Sequence, residues 1–187
     1  MLDHSAQSGR HAYADRGLDF YPTSPVATPA LLRVEPLPMC IRDPACGSGN
    51  ITQALRTAGH TVIASDLIDR GCPNSEAGVD FLLEQRARDG CTCVVFNPPY
   101  RLAPQFIRHA FALYPHVVAL LRLGFIESVS RSDLLDGGQL AHMYAFKRRL
   151  PFMHRAGWSG PRASSAVPFC WFVWRRDHVG PTAISRI

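Results

Sequence analysis

The sequence predicts an α/β fold: a doubly wound, mostly parallel sheet that ends in a C-terminal antiparallel hairpin. Three observations predict it. Short apolar runs such as Cys93-Val94-Val95-Phe96 and His116 to Leu121 alternate with helical patterns, as strands and crossover helices do. Two of the runs lead straight into loops rich in Gly, Pro, Asp and Asn, which suits the carboxyl edge of a parallel sheet. Near the end, Val167 to Arg175 sets Phe169, Trp171 and Val173 against Cys170, Phe172 and Trp174, so Trp171 and Trp174 fall on opposite faces of one strand.

Residues 1–17 are polar and aperiodic and read as a flexible arm, with 18–187 as one domain. Asp19 to Pro25 is a rigid, turn-forming segment. Thr28-Pro29 predicts a helix start, with Thr as cap and Pro in the first turn, ending before Pro36. Met39 to Arg42 is a short strand leading into Asp43-Pro44-Ala45-Cys46-Gly47-Ser48-Gly49-Asn50. A helix follows to Ala58 with Ile51, Ala54, Leu55 and Ala58 on one face, closed by Gly59. Thr61 to Ser65 is the next strand, ending at Asp66. Residues 67–78 read as loop. Val79 to Leu83 begins a further element, continued by a charged helix to Asp89. Thr92 to Phe96 is a buried strand, Ala103 to Leu113 a helix, and His116 to Leu121 an apolar strand. Beyond it a helix is expected at Ser132 to Leu135, a strand at Tyr144 to Leu150, loop at 152–165, the strand Val167 to Arg175, and a tail.

At 187 residues, with 47% hydrophobic and 19% charged residues, the chain can bury a full core. No apolar run nears the roughly 20 residues of a membrane span, and no leader is recognisable, so a cytoplasmic protein is expected. The six cysteines form no Cys-x-x-Cys pair; they read as reduced thiols, and no metal site is expected. The net charge of +5 is localised. Between Gly137 and Arg176 there is no Asp or Glu, while one Lys and six Arg contribute +7, which leaves the other residues at −2. That basic third suits an anionic partner such as nucleic acid, with Arg148, Arg149, Arg155 and Arg162 as phosphate contacts and Trp158 beside a base.

The loop Asp43 to Asn50 joins a strand to a helix through two glycines, Gly47 and Gly49. Small residues let a ligand lie against the backbone, and the helix start offers N–H donors. Position 52 is Thr and no Lys follows, so this is neither Gly-x-Gly-x-x-Gly nor a P-loop. Asp43 repels phosphate and suits an amine. Asp66, 19 residues after Gly47, stands where an acidic residue takes a ribose hydroxyl pair. Asp80-Phe81 supplies a carboxylate and a ring for a purine. In Asn97-Pro98-Pro99-Tyr100 the prolines stiffen the backbone, and the Asn amide beside a fixed carbonyl can hold a planar amino group.

Asp43-Pro44-Ala45-Cys46-Gly47-Ser48-Gly49, followed about fifty residues on by Asn97-Pro98-Pro99-Tyr100, resembles the class I S-adenosylmethionine-dependent methyltransferases. Within them it resembles the amino-group enzymes typified by DNA N6-adenine methyltransferases. Tyr21-Pro22-Thr23-Ser24-Pro25 resembles the Tyr-Thr-Pro-like segment that helps close their cofactor site. The resemblance implies a Rossmann-like methyltransferase domain with S-adenosyl-L-methionine as cofactor. It places Asp43, Ala45, Gly47 and Gly49 at the methionine part, Asp66 at the ribose, and Asp80 with Phe81 at the adenine. Tyr21, Thr23 and Asn97 complete the cofactor site. Asn97, Pro98, Pro99 and Tyr100 become the catalytic set: two acceptors for the amine N–H groups and a ring to stack on the target. The implied activity is methylation of adenine N6, in DNA first. RNA adenine, a protein glutamine amide, and a silent cofactor- or nucleic-acid-binding module are the alternatives. DNA enzymes of this kind carry an added recognition region. No stretch is long enough for a full one and only Ser128 to Ser165 could serve, which leaves low sequence specificity, a separate specificity partner, or another substrate.

Overall fold

The computed structural model describes residues 21–151 and 167–187. The expected arm at 1–17, the loop at 152–165, and Arg155, Trp158 and Arg162 lie outside the described residues.

Eight strands form one sheet in the order β3-β2-β1-β4-β5-β7-β6-β8. They are β1 (Cys40–Asp43), β2 (Thr61–Asp66), β3 (Ser75–Ala77), β4 (Cys93–Phe96), β5 (His116–Arg122), β6 (Leu140–Ala145), β7 (Phe169–Arg175) and β8 (Ala183–Arg186). Strands β3, β2, β1, β4 and β5 are parallel to one another. Strand β7 is antiparallel to both β5 and β6, so the expected hairpin is β6–β7. Since β6 is antiparallel to β7, it runs the same way as β5, and the two end on the same edge.

The helices are α1 (Ala27–Leu32), α2 (Asn50–Thr57), α3 (Ala103–Leu113) and α4 (Ser132–Leu135). They serve two apolar cores, one on each sheet face. Ile41, Val95, Leu120, Trp171 and Val173 pack with Leu31 of α1 and Leu55 of α2. The alternate residues Val94, Phe96, Leu121, Phe172 and Trp174 pack with Phe106 and Ile107 of α3 and Leu134 of α4. Strands buried on both faces read as continuous apolar runs, which is why β4, β5 and β7 were legible. Trp171 and Trp174 are both buried, and each indole N–H meets a carbonyl, of Ala27 at 3.0 Å and Leu134 at 2.7 Å.

Several expectations are corrected. Helix α1 begins at Ala27, with Val26 at the cap; Thr28 lies inside it, buried. No helix spans 84–89, where one 3₁₀ turn, Phe81–Leu83, is followed by extended chain. Glu84 and Arg88 do make an i,i+4 pair at 3.1 Å, but Glu84 also reaches the buried Arg42 guanidinium at 2.6 Å. The pull of that partner holds Glu84 against the sheet. The strand expected at Tyr144 to Leu150 lies at Leu140–Ala145, paired with β7 from Leu140↔Trp174 to Ala145↔Cys170 with a register shift between Leu140 and His142. Strand β3 falls in the expected loop and β8 in the expected tail; both are edge strands without an apolar alternation. Cys40 and Cys91, expected as thiols, are joined by a disulfide. They are 51 residues apart and meet because β1 pairs with β4, Ile41 beside Cys93.

Glu35, 3% exposed, ties the far end of the sheet together. It accepts from Tyr144 Oη at 2.9 Å and from Arg175 at 2.5 Å, and faces His116 at 3.1 Å. Burial opposes its charge, but these donors hold its carboxyl below the usual range.

Candidate functional site

The strand order reverses between β1 and β4, and a crevice opens at the carboxyl ends of the strands beside that point. A cavity of about 180 Å³ lies there. Of the residues expected at a site, Tyr21, Thr23, Ala45, Gly47, Asp66, Asp80, Phe81, Asn97, Pro98, Pro99 and Tyr100 line it. Asp43 and Gly49 do not, and the exposed Arg148 and Arg149 stand away from it, past β6.

The β1–α2 loop forms one wall. Gly47 (φ 54°) and Gly49 (φ 89°) are both left-handed, a conformation that only glycine adopts without cost. A Cβ on Gly49 would stand 2.8 Å from the Cys72 sulfur, so nothing larger fits. The Gly47 N–H donates to Asp66 Oδ2 at 2.9 Å, and the Ile68 N–H to Oδ1 at 3.0 Å. Asp66 therefore braces the glycine loop and lines the cavity.

Asp43 lies a layer below, fully buried, and accepts from Thr52 Oγ1 of α2 at 2.7 Å. Burial pushes its carboxyl up to about 7, against the Thr52 hydrogen bond and the Arg42 guanidinium, which favour the anion. This folded value lies above the ordinary Asp value. Between about pH 4 and 7 the native state therefore holds a proton that the unfolded chain has lost, and stability falls as pH rises through that window. Relative to Asp43→Asn, the wild type should lose on the order of 3 kcal/mol of stability between pH 5 and pH 8. Denaturant titrations at both pH values measure this; parallel pH profiles for the two proteins would disprove it.

The second wall carries Asp80 and Phe81. Asp80 Oδ1 accepts the Leu82 N–H at 3.0 Å and caps the 3₁₀ turn. The Phe81 ring is 1% exposed and packs among Phe96, Phe106 and His109, so it anchors this wall in the core.

Asn97 follows β4. Its amide nitrogen donates to the Tyr21 carbonyl at 3.2 Å and to Thr23 Oγ1 at 3.1 Å. A carbonyl can only accept, so the amide orientation is fixed. Asn97 Oδ1 is buried and meets no donor among the described residues. A buried acceptor without a partner costs about 1–3 kcal/mol, and this one belongs to a side chain that lines a cavity. Tyr100 stacks on Tyr21 (ring centroids 5.0 Å apart, 24° between planes) and leans on Phe169 at 6.0 Å. Asn50, at the start of α2, donates to the Thr23 carbonyl. The strap Tyr21-Pro22-Thr23 is thus tied to both the glycine loop and Asn97.

Sequence reasoning missed Asn50 as the strap's anchor and missed Arg122, whose guanidinium lies over the Tyr100 ring at 4.5 Å. An amide at a helix start was a signal for the first. For Arg122 there was none beyond its place at a strand end. Among the described residues no cluster of His, Cys, Asp or Glu is arranged to hold a metal ion, and no helix is long and apolar enough to cross a membrane.

No family model matches the sequence, and no curated protein does. Solved structures do match the fold. The chain is similar to a proposed RNA methyltransferase of Pyrococcus horikoshii, at TM-score 0.64 and 12% identity over 87% of this chain and 88% of that one. It is similar to E. cuniculi Mtq2, whose complex with Trm112 methylates the termination factor eRF1, at 0.57 and 16% over 85% and 99%. A third likeness is to the 23S rRNA methyltransferase ErmE, at 0.54 and 17% over 86% and 71%. The eight-stranded sheet with its antiparallel β7 thus has the Rossmann-like fold seen in these methyltransferases.

Proposed function

We propose that this chain is a methyltransferase that transfers the methyl group of S-adenosylmethionine to an exocyclic amine, adenine N6 in a polynucleotide. The observation that carries the reading is Asn97 Oδ1, a buried acceptor without a donor on the wall of the cavity. An amine N–H would satisfy it.

The residues fit the donor. Gly47 leaves a stretch of the wall without a side chain, Asp66 offers acceptors for hydroxyls, and Asp80 stands on the facing wall. When bound, S-adenosylmethionine supplies an electrophilic methyl on a sulfonium. The chain's own part is orientation. An aryl amine is a weak nucleophile because its lone pair is shared with the ring. Asn97 Oδ1 and the Pro98 carbonyl each accept one N–H, which turns the nitrogen towards a pyramidal shape and frees the lone pair. Tyr100 supplies the ring against which the target base stacks, in the place that Tyr21 takes in this structure; in a duplex the base must first be flipped out. Catalysis of this kind rests on positioning and fixed dipoles and needs no strong base before attack.

The expectation of DNA over RNA gains no support from the comparisons, and the likeness to enzymes named for RNA favours RNA. A protein amide is the second reading, favoured by the likeness that spans 99% of Mtq2. Tritiated methyl transfer to single-stranded RNA, single-stranded DNA, duplex DNA and a Gln-containing protein decides among them. Label is expected in N6-methyladenine from RNA. Label in glutamine alone would replace this reading with the second, and no label in any substrate would reject both.

A further inference from the structure

Arg122 ends β5, one strand along from Asn97, and is exposed. Its guanidinium lies 4.5 Å from the centre of the Tyr100 ring. Tyr21, on the same ring, lines the cavity; Arg122 does not and stands outside it. Most arginines near the sheet spend their N–H groups on protein. Arg42, Arg56, Arg108, Arg131, Arg175 and Arg176 all donate to carbonyls or carboxylates. Arg122 donates to no acceptor among the described residues. Stacking on an aromatic face leaves the planar edge of a guanidinium, with its N–H fork, open to an anion.

The carboxyl edge carries more positive charge in line with it. Arg101 follows Tyr100, and Lys147, Arg148 and Arg149 follow β6, which ends on the same edge; all are exposed. Glu127 is an exposed acidic side chain on the segment after β5. The resulting arrangement is a stacked Tyr21–Tyr100 pair at the cavity, an unspent guanidinium over the Tyr100 ring outside it, and basic residues beyond. A nucleotide in a chain presents a planar base with anionic phosphates on either side. A glutamine side chain presents no such anion.

We infer that Arg122 binds a phosphate next to the target base, so that the substrate's sugar-phosphate backbone runs along the carboxyl edge from Arg101 towards Lys147–Arg149. This rests on the amino-methyltransferase reading for Tyr100 as the ring on which the base stacks, but the phosphate contact can be measured without methyl transfer. Arg122 acts here as a positioning residue: it fixes the backbone and so places the base at Asn97.

The probes are a single-stranded RNA 12-mer with one central adenine and its DNA counterpart. Versions with one neutral methylphosphonate immediately 5′ or 3′ of the adenine are needed too. Binding to the wild type, Arg122→Ala and Arg122→Lys is measured by fluorescence anisotropy across a salt series, with thermal melting to confirm that each variant is folded. Arg122→Ala should weaken binding by roughly tenfold and reduce the slope of log K against log salt by about 0.7, the loss of one phosphate contact on a single strand. Arg122→Lys keeps the charge and should keep the slope. One of the two neutral linkages should weaken wild-type binding as much as Arg122→Ala does and add nothing in that variant. A merely structural role would leave the slope unchanged. An unchanged slope, or neutral linkages that remain fully additive with Arg122→Ala, overturns the inference. So does a wild type that binds neither oligonucleotide, even if it methylates protein. If binding behaves as expected but no substrate is methylated, the phosphate contact stands and the methyltransferase reading falls.

Discussion

Asn97→Ala lowers the methyl-transfer rate by about 10²- to 10³-fold, the usual cost of removing one fixed dipole aimed at a reacting centre. Donor affinity changes far less, because the glycine loop and Asp66 are braced by bonds that do not involve Asn97. Single-turnover rates and calorimetric binding separate the two effects. The strap complicates the variant, since Asn97 also donates to Tyr21 and Thr23. Asn97→Asp resolves this. It keeps an oxygen where Oδ1 stands but loses both donors and sets a carboxylate against the Tyr21 carbonyl. If the acceptor matters most, Asp retains more rate than Ala; if the strap matters most, Asp is at least as damaged. An Ala variant with wild-type turnover would remove Asn97 from the chemistry.

Arg42→Ala is expected to destabilise the protein by about 3–5 kcal/mol, read from the midpoint of chemical denaturation. Arg42 is fully buried in β1 and satisfies the carbonyls of Asp43 (3.1 Å) and Ile63 (3.0 Å), Ser65 Oγ (2.5 Å) and Glu84 (2.6 Å). Removing it leaves a cavity, several unmet acceptors and a carboxylate whose side chain is 9% exposed. The Arg88 contact at 3.1 Å partly shields that carboxylate and moves the cost towards the lower end. By contrast, Arg108–Asp133 is a close pair with side chains 41% and 54% exposed, and such pairs contribute about 0–1 kcal/mol. The deciding difference is burial, since both pairs are 2.6 Å apart. An Arg42→Ala loss below about 1 kcal/mol would show that the buried network relaxes or hydrates. The pair also fastens the chain after the Asp80–Leu83 turn to β1, so donor affinity should fall together with stability.

What could be read from the sequence was what is written consecutively. The glycine loop, Asp66 and Asn97-Pro98-Pro99-Tyr100 are runs at strand ends, and parallel topology brings strand ends together without further information. Strands β4, β5 and β7 announced themselves because both faces are buried. The failures share a cause. Strands β3 and β8 are held by backbone pairing at the edges, which leaves no side-chain pattern. The 84–89 segment has a helical charge spacing but no apolar face to bury, and its carboxylate answers to Arg42, 42 residues away. Cys40 and Cys91 are neighbours only through the pairing of β1 with β4. Asp43 was recognised as part of the loop, but its depth, and hence its proton affinity near neutrality, depends on Thr52 and the packing above it. Arg122 could be placed over Tyr100 only once β5 was known to lie beside β4.

The β6–β7 pairing bears on how such a protein can diversify. Ala145 lies opposite Cys170, so the chain leaves the sheet and returns to it at adjacent points, on the edge that holds Asn97. The cost of closing such an excursion grows only with the logarithm of its length, about 0.6 kcal/mol for each doubling. Evolution can therefore lengthen, shorten or exchange this crossing without moving β4 or the Asn97 turn after it. The β6–β7 crossing and the turn after β4 are thus separately mutable parts of the chain.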